Sequence, residues 1–274
     1  MLRFMATNTI LWRIMYAYAQ FPPTKKLTEN LSWYRCFGNF ERTIRKSDPD
    51  IVVSVHPLCQ HIPIPVVKKL NKERDPTKLP ISFVTVVTDL GGAHPTWFDK
   101  RSDFCFVPSE AVYDVARKCG IMASKLVKHG LPIRPSFWKP GAPKGIVRKK
   151  LGLENVRTAL VMGGGDGVGS LTGIANELAA KLTESPQRSQ VIVICGHNKR
   201  VADQLRSKVW PANVNMVVRG FETNIDEYMS GSDCLVTKAG PGTIAEAMTR
   251  GLPLVLSTFL PGQVPPPSNS AFLT

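Results

Sequence analysis

Strand-like and helix-like segments alternate along most of this chain, and no other feature limits its fold as strongly. Runs rich in β-branched residues cover 51–55, 81–87 and 104–107, and a helical pattern over 110–118 follows the third run. Such alternation is typical of βαβ units, in which a crossover helix joins two parallel strands. The first half of the chain is therefore predicted to be an α/β domain.

The second half repeats the alternation. Its predicted strands cover 158–162, 191–195, 214–218, 233–237 and 253–256, and its predicted helices cover 170–182, 199–207 and 243–250. Gly251 follows the last helix, at the position where a glycine commonly ends a helix. We therefore predict a second α/β domain, again with a parallel sheet.

A proline-rich stretch separates the two halves. It reads LPIRP over 131–135 and KPGAP over 139–143. Proline lacks an amide hydrogen and disfavours helix at the preceding residue, so the stretch suits a linker. We predict domains over 1–139 and 150–263, a linker over 140–149, and an atypical tail over 264–274.

Positive charge is concentrated in the first half of the chain. Residues 1–150 carry 25 Lys and Arg against 11 Asp and Glu, whereas residues 151–274 carry 10 of each. A basic domain suits an anionic membrane surface or a nucleic acid, and a merely solubilising surface is the alternative. No nucleic-acid-binding motif accompanies the charge, so we predict anionic lipid and no nucleic acid. No apolar run reaches the roughly 18 residues that span a bilayer.

Cysteine and histidine spacing argues against a metal site. The six cysteines are scattered singly and form no CxxC pair, which excludes zinc-ribbon and thioredoxin-like sites. The five histidines show no spacing typical of metal ligands. We therefore predict neither a metal nor a cofactor.

A glycine-rich segment, GGGDGVG over 163–169, lies between a predicted strand and a predicted helix. Glycines allow a close backbone approach to phosphate, and a helix N-terminus offers unpaired N–H groups. The segment is not a P-loop, because no Gly-Lys-Ser/Thr follows it, and a tight strand-to-helix turn is the alternative. The predicted phosphate-binding glycines are Gly163, Gly164, Gly165, Gly167 and Gly169.

A second loop, TKAGPGTIAE over 237–246, again lies between a strand and a helix. Its glycine N–H groups could form an anion site, with Thr243 as the N-cap. Glu246 follows Thr243 by three residues, the spacing of a capping box, and ribose binding is its alternative role. Because both loops follow strands, we expect them at the carboxyl ends of adjacent strands.

Residues 220–223 (GFET) follow another predicted strand. An aromatic side chain at the carboxyl end of a sheet could contact a uracil ring. The alternative is that Phe221 belongs to the hydrophobic core.

Polar residues also end two predicted strands of the first half, in SVHP over 54–57 and TDLGGAHPTWF over 88–98. Histidine is a common general base, so His56 and His94 are candidates, with a structural histidine as the alternative. Trp97 could belong to the core or face lipid.

The segments SVHPLCQHIP, VTDL, HPTWF, HGLPIRPSF, GGGDGVG and KAGPGTIAEAM, in this spacing, resemble plant-type monogalactosyldiacylglycerol synthases of glycosyltransferase family 28. The resemblance covers about residues 30–263. It implies a GT-B fold of two Rossmann-like domains, UDP-galactose as donor, diacylglycerol as acceptor, inversion at the anomeric carbon, and a peripheral location on the plastid envelope.

The resemblance also assigns site residues. It places 163–169 and 240–243 at the donor diphosphate, Phe221 at the uracil and Glu246 at the ribose. On the donor side it further implies Lys238, Gly240, Pro241, Gly242, Thr243 and Gln263. On the acceptor side it implies Asp89, His94 and Trp97.

Several positions depart from the family pattern. Asp166 stands where Glu is usual, and His197 where Arg is usual. The family's N-terminal glycine-rich turn, which carries its presumed base, has no counterpart and is expected to lie upstream of Met1. After Gln263, VPP replaces residues that would read the sugar.

These departures lead to an expectation about activity. On their ground the chain is expected to be truncated at both ends and to transfer no galactose at a measurable rate, with His56 and His94 as the remaining candidates for the base. The alternative is a non-catalytic fragment that binds UDP or anionic lipid.

Overall fold

The computed structural model of the protein describes residues 22–163 and 171–258. The chain divides into two compact units, with the boundary between Pro132 and Ile133. Each unit contains one sheet in which all the paired strands are parallel. The predicted α/β class, with a parallel sheet in each half of the chain, is confirmed.

The first unit has a four-stranded sheet in the order β1-β2-β3-β4. In chain order its elements are α1 Pro22–Ser47, β1 Ile51–Ser54, α2 Pro63–Glu73, β2 Ser82–Val86, β3 Phe104–Val107, α3 Glu110–Lys118 and β4 Leu126–Lys128. Short 3-10 helices cover Pro95–Trp97 and Ala123–Lys125.

Two hydrophobic clusters stabilise the first unit. One joins Ile44 of α1 to Ile64 and Leu70 of α2 and to Phe83 of β2. The other surrounds Trp97 and includes Val87, Val107, Val112 and Ala116. Helices α1 and α2 and strand β4 were not predicted. Helix α2 begins at Pro63, and proline is well tolerated in the first helical turn.

The second unit has a five-stranded sheet in the order β7-β6-β5-β8-β9. In chain order its elements are α4 Lys144–Lys150, β5 Arg157–Met162, α5 Leu171–Leu182, β6 Ser189–Ile194, α6 Lys199–Arg206, β7 Val214–Arg219, α7 Ile225–Gly231, β8 Cys234–Lys238, α8 Pro241–Thr249 and β9 Leu254–Thr258. A 3-10 helix over Pro135–Phe137 precedes them.

The strand order reverses at β5. The chain runs from β5 outward through β6 and β7, then returns to add β8 and β9 on the other side of β5. Parallel sheets bind ligands at such a switch point, outside the carboxyl ends of the two strands that flank it. In this unit the switch point lies between β5 and β8.

Helix α4 occupies most of the segment that we predicted to be a linker, 140–149. Val147 is buried, and the buried guanidinium of Arg148 donates hydrogen bonds to Gly231 O at 2.8 Å and Asp233 Oδ2 at 2.7 Å. These contacts attach α4 to α7 and to the start of β8, so the segment belongs to the second unit. The boundary at Pro132 lies earlier, inside the first proline cluster.

Across the two described ranges, we find no helix with both the length and the apolar composition required to traverse a bilayer.

Candidate functional site

The loops after β5 and β8 begin side by side at the switch point. Met162 and Thr237 are paired in register, and the Thr237 hydroxyl donates to Met162 O at 2.9 Å. Buried Gly163 follows β5 directly. The expected adjacency of the two strands is therefore confirmed. Gly164, Gly165, Gly167 and Gly169 lie outside the described residues, as does Gln263.

Helix α8 starts earlier than we predicted. It begins at Pro241 with Gly240 as its N-cap, and no side chain caps it, so the predicted N-cap role of Thr243 is wrong. The amides of Gly242 and Thr243 belong to the first turn, whose N–H groups have no partner within the helix. Among the described residues, none has a heavy atom within 4 Å of a Cβ placed on Gly242. Lys238, the last residue of β8, is half-buried.

Glu246 forms an ion pair rather than a capping box. Its carboxylate is buried, and it accepts two hydrogen bonds of 2.6 Å from Nε and Nη2 of Arg134. This pairing raises the pKa of Arg134. The capping-box alternative is wrong, because the helix starts two residues before Thr243. Each carboxylate oxygen retains a second lone pair, so ribose binding stays a prediction.

Arg134 was not among the predicted site residues, although it lies in the segment HGLPIRPSF. Two guanidinium groups lie over the ring of buried Phe137. The Arg134 guanidinium is 5.3 Å from the ring centroid, and the Arg250 guanidinium is 5.0 Å from it. The Arg250 side chain also donates to Ser136 O and Lys139 O. Arg134 and Arg250 therefore attach residues 134–139 to α8 and its C-cap.

Phe221 does not belong to the core. Its side chain is 53% exposed, directly after β7, so the core alternative is wrong. Its ring stacks on that of His197, with centroids 4.4 Å apart and planes 10° apart. Contact of Phe221 with uracil stays a prediction.

At the carboxyl end of β1, His56 has a local structural contact. Its Nδ1 accepts a hydrogen bond from the amide of Leu58 at 3.2 Å. The buried side chain of Gln60 donates to Ser54 Oγ at 3.2 Å and to His56 O at 3.0 Å. These bonds hold an exposed imidazole in place.

The structure does not test the expectation that the family's base lies upstream of Met1, because the described residues begin at residue 22. The position of that base stays a prediction. Of the base candidates, the structure describes His56 and His94.

The three residues predicted on the acceptor side lie together after β2. His94 caps the 3-10 helix, with Nδ1 at 2.8 Å from Thr96 Oγ1. The indole of Trp97 is 1% exposed and donates to Asp89 Oδ2 at 2.7 Å. Trp97 is therefore a core residue, and the lipid-facing alternative is wrong. Burial raises the pKa of Asp89, and this outweighs the lowering by the Trp97 N–H and by nearby His94.

Candidate metal ligands and thiols occur in the described parts of both units. No group of three His, Cys, Asp or Glu side chains there could hold a metal ion. Burial raises the pKa of the Cys105 thiol to about 12 and also raises those of Cys195 and Cys234. These thiols are therefore protonated at neutral pH.

Family models match both halves of the chain. The model described as monogalactosyldiacylglycerol synthase matches residues 2–133, and that of the glycosyltransferase family 28 C-terminal domain matches 158–261. The chain is 44% identical over 224 residues to monogalactosyldiacylglycerol synthase 1, chloroplastic, of Arabidopsis thaliana, covering 80% of this chain and 41% of that protein. It is 41% identical over 266 residues to the Spinacia oleracea synthase, covering 95% and 49%. The chain thus spans about half the length of these relatives.

Solved structures resemble the fold at low sequence identity. MurG of Acinetobacter baumannii is 15% identical, with a TM-score of 0.54 over 83% of this chain and 57% of that one. MnaA of S. aureus, solved as a co-structure with UDP, is 12% identical, with a TM-score of 0.56 over 83% and 63%. At these identities the likeness concerns the fold alone, which is of the GT-B type.

Proposed function

We propose, because this chain belongs to the monogalactosyldiacylglycerol synthase family, that it acts in galactosyl transfer from UDP-galactose to diacylglycerol. The product would be monogalactosyldiacylglycerol. The observation that carries the proposal is the position of the first turn of α8, of the Glu246 carboxylate and of the exposed Phe221 ring at the carboxyl edge of the second sheet. The rest of the proposal assigns the steps of the transfer to particular groups.

The donor would bind across the carboxyl edge of the second sheet. Its diphosphate would meet the first-turn N–H groups of α8, the Lys238 ammonium and the glycine-rich segment after β5, all of which favour negative charge. Glu246, oriented by Arg134, would accept hydrogen bonds from ribose hydroxyls. Phe221 follows β7, which lies two strands from β5 and three from β8, and its ring would contact the uracil.

The acceptor would bind at the carboxyl edge of the first sheet. In the transfer, the diacylglycerol hydroxyl oxygen attacks the anomeric carbon while UDP departs, and a base accepts the hydroxyl proton. His94 is the stronger candidate for that base. Thr96 orients its ring, and Asp89 lies close enough to interact with it electrostatically. His56 is the second candidate.

The location and the lipid partners follow the same reasoning. The relatives are named as chloroplastic, so we place this chain at the plastid envelope, as a peripheral protein. The basic excess of residues 1–150 would attract anionic lipid headgroups.

A combined binding and transfer assay tests the proposal. Titration calorimetry would measure UDP binding to the chain, with ADP as the matched control ligand. Labelled UDP-galactose would then be added with diacylglycerol in anionic vesicles, for the wild type and for His94→Ala and His56→Ala. UDP binding with labelled galactolipid supports the synthase. UDP binding without labelled lipid supports the non-catalytic alternative. Failure to bind UDP overturns the synthase and leaves only the anionic-lipid form of the alternative.

A further inference from the structure

Two exposed aromatic rings lie against each other at the carboxyl edge of the second sheet. His197 and Phe221 stack with their centroids 4.4 Å apart and their planes 10° apart. They follow β6 and β7, which are hydrogen-bonded neighbours, and neither side chain is buried. An exposed stacked pair of this kind contributes little to a hydrophobic core, so its position calls for another explanation.

The backbone holds both rings in register. The ladder continues past the two strands, because Cys195 N donates to Arg219 O at 2.9 Å and Gly196 N donates to Gly220 O at 3.1 Å. Gly196 has a φ of +57°, a conformation that residues with a side chain rarely adopt. His197 is then followed by Asn198, which caps α6. The imidazole is therefore presented from a fixed turn.

The distance between the His197–Phe221 pair and the switch point can be compared with the length of a nucleotide. Between the β6/β7 pair and the β5/β8 pair lie two strand spacings, about 10 Å at 4.7–4.9 Å each. That separation is comparable with the reach of a nucleoside between its base and its phosphates. Planar rings favour parallel, offset stacking, so a fixed phenyl ring suits a planar heterocycle.

We propose that His197 is a positioning residue for recognition of the nucleobase of the donor. The imidazole covers one face of the Phe221 ring and restricts the rotation of that ring. The uncovered part of the phenyl ring is thereby held in an orientation that can contact the nucleobase. His197 thus acts through Phe221 by stacking, and its ring nitrogens are not required. This inference rests on the proposed UDP-sugar site and assigns a function to a side chain that the donor site does not otherwise use.

Calorimetry on the complete 274-residue chain tests the inference, with UDP and inorganic pyrophosphate as the two ligands. His197→Ala should weaken UDP binding about three- to tenfold, the range expected for one aromatic pair. His197→Phe keeps a ring without nitrogens and should stay within about twofold of wild type. Phe221→Ala should weaken UDP binding at least as much, and adding His197→Ala to it should cause no further loss.

Pyrophosphate and the controls separate positioning from general damage. Pyrophosphate has no base, so its affinity should be the same in all variants. His129→Ala, a matched exposed histidine, should change neither affinity. Equal loss in His197→Phe and His197→Ala would overturn the stacking role, as would a parallel loss of pyrophosphate binding. Wild-type protein that binds pyrophosphate but not UDP would overturn the proposed donor site itself, and the inference with it.

Discussion

At the scale of single residues, two carboxylates are held by specific partners, one of them buried (Glu246) and the other partly buried (Asp89). Glu246 is clasped by Arg134 in the second unit, and Asp89 accepts from the Trp97 indole in the first. A buried polar or charged group without a partner is costly, so each of these pairs constrains the side chains around it. Substitutions of Arg134, Trp97 and Asp89 measure this constraint.

Loss of Arg134 should destabilise the second unit. Arg134→Met leaves the buried Glu246 carboxylate without its two hydrogen bonds, and we expect a loss of about 1–3 kcal/mol in the free energy of unfolding. Urea denaturation measures it. The control is Arg206→Met, which removes an exposed pair with Asp203 and should cost under about 0.5 kcal/mol. Equal costs for the two variants would contradict the buried pair.

Trp97 and Trp138 provide a matched comparison of a buried and an exposed indole. Trp97→Ala should cost about 3–5 kcal/mol, because it leaves a cavity in the core of the first unit. Trp138 is 72% exposed, so Trp138→Ala should cost little. If Trp97 is purely a core residue, Trp97→Phe, which keeps the fold, should bind anionic vesicles as wild type does. A selective loss of vesicle binding in Trp97→Phe would argue against this interpretation.

The raised pKa of Asp89 makes a signed prediction about pH. The folded protein keeps this proton at pH values above 3.8, where the unfolded chain has lost it. The free energy of unfolding therefore falls as pH rises through the folded pKa, and the loss persists above it. Asp89→Asn lacks this titration and should gain stability relative to wild type between acid and neutral pH.

Asp75 provides a control of opposite sign. Hydrogen bonds from the Thr77 amide and hydroxyl lower its pKa, so its contribution is lost as pH falls. Thermal melts of Asp75→Asn should therefore approach wild type in acid. A difference between Asp89→Asn and wild type that is constant with pH would contradict the burial of that carboxylate.

At the scale of elements, helix ends and helix starts differ in how well local sequence determines them. Gly251 ends α8 as predicted, with φ +62° and with Leu252 N donating to Ala247 O and Gly251 N to Met248 O. The residue after the helix adopts a positive φ, which glycine does readily, so a single glycine in the sequence is enough to predict this helix end. The start of α8 was misjudged because Thr243 and Glu246 match a capping box by spacing, whereas proline at the first helical position decides the start.

Two glycine substitutions test the helix-end assignment. Gly251→Ala forces a side chain into the left-handed region and should cost about 1 kcal/mol. Gly145→Ala lies in α4, where an added Cβ meets no atom within 4 Å, and should stabilise by up to about 1 kcal/mol. Chemical denaturation of both variants measures the effect. A neutral or stabilising Gly251→Ala would show that α8 ends differently in solution.

At the scale of the whole molecule, the uneven distribution of charge leads to a prediction about membranes. Residues 1–150 carry the whole net charge of +14, so vesicles with anionic lipid should bind the chain in flotation assays. Binding should fall steeply between about 0.1 M and 1 M salt, as the Debye length shrinks from about 10 Å to 3 Å. Equal flotation with neutral vesicles would remove the electrostatic explanation.

The sequence by itself determined eight of the nine described strands, the glycine-bearing loops of the second unit, and the α/β class, because hydrophobic periodicity and glycine conformation act over a few neighbouring residues. The short β4 was not predicted. Only the tertiary structure decided which loops become neighbours. The order β7-β6-β5-β8-β9 brings the loops after β5 and β8 together. Arg134 reaches Glu246 across 112 residues, and the ring of His197 meets that of Phe221 from the next strand. Such pairings depend on how a sheet is assembled, and no local pattern in either partner encodes them.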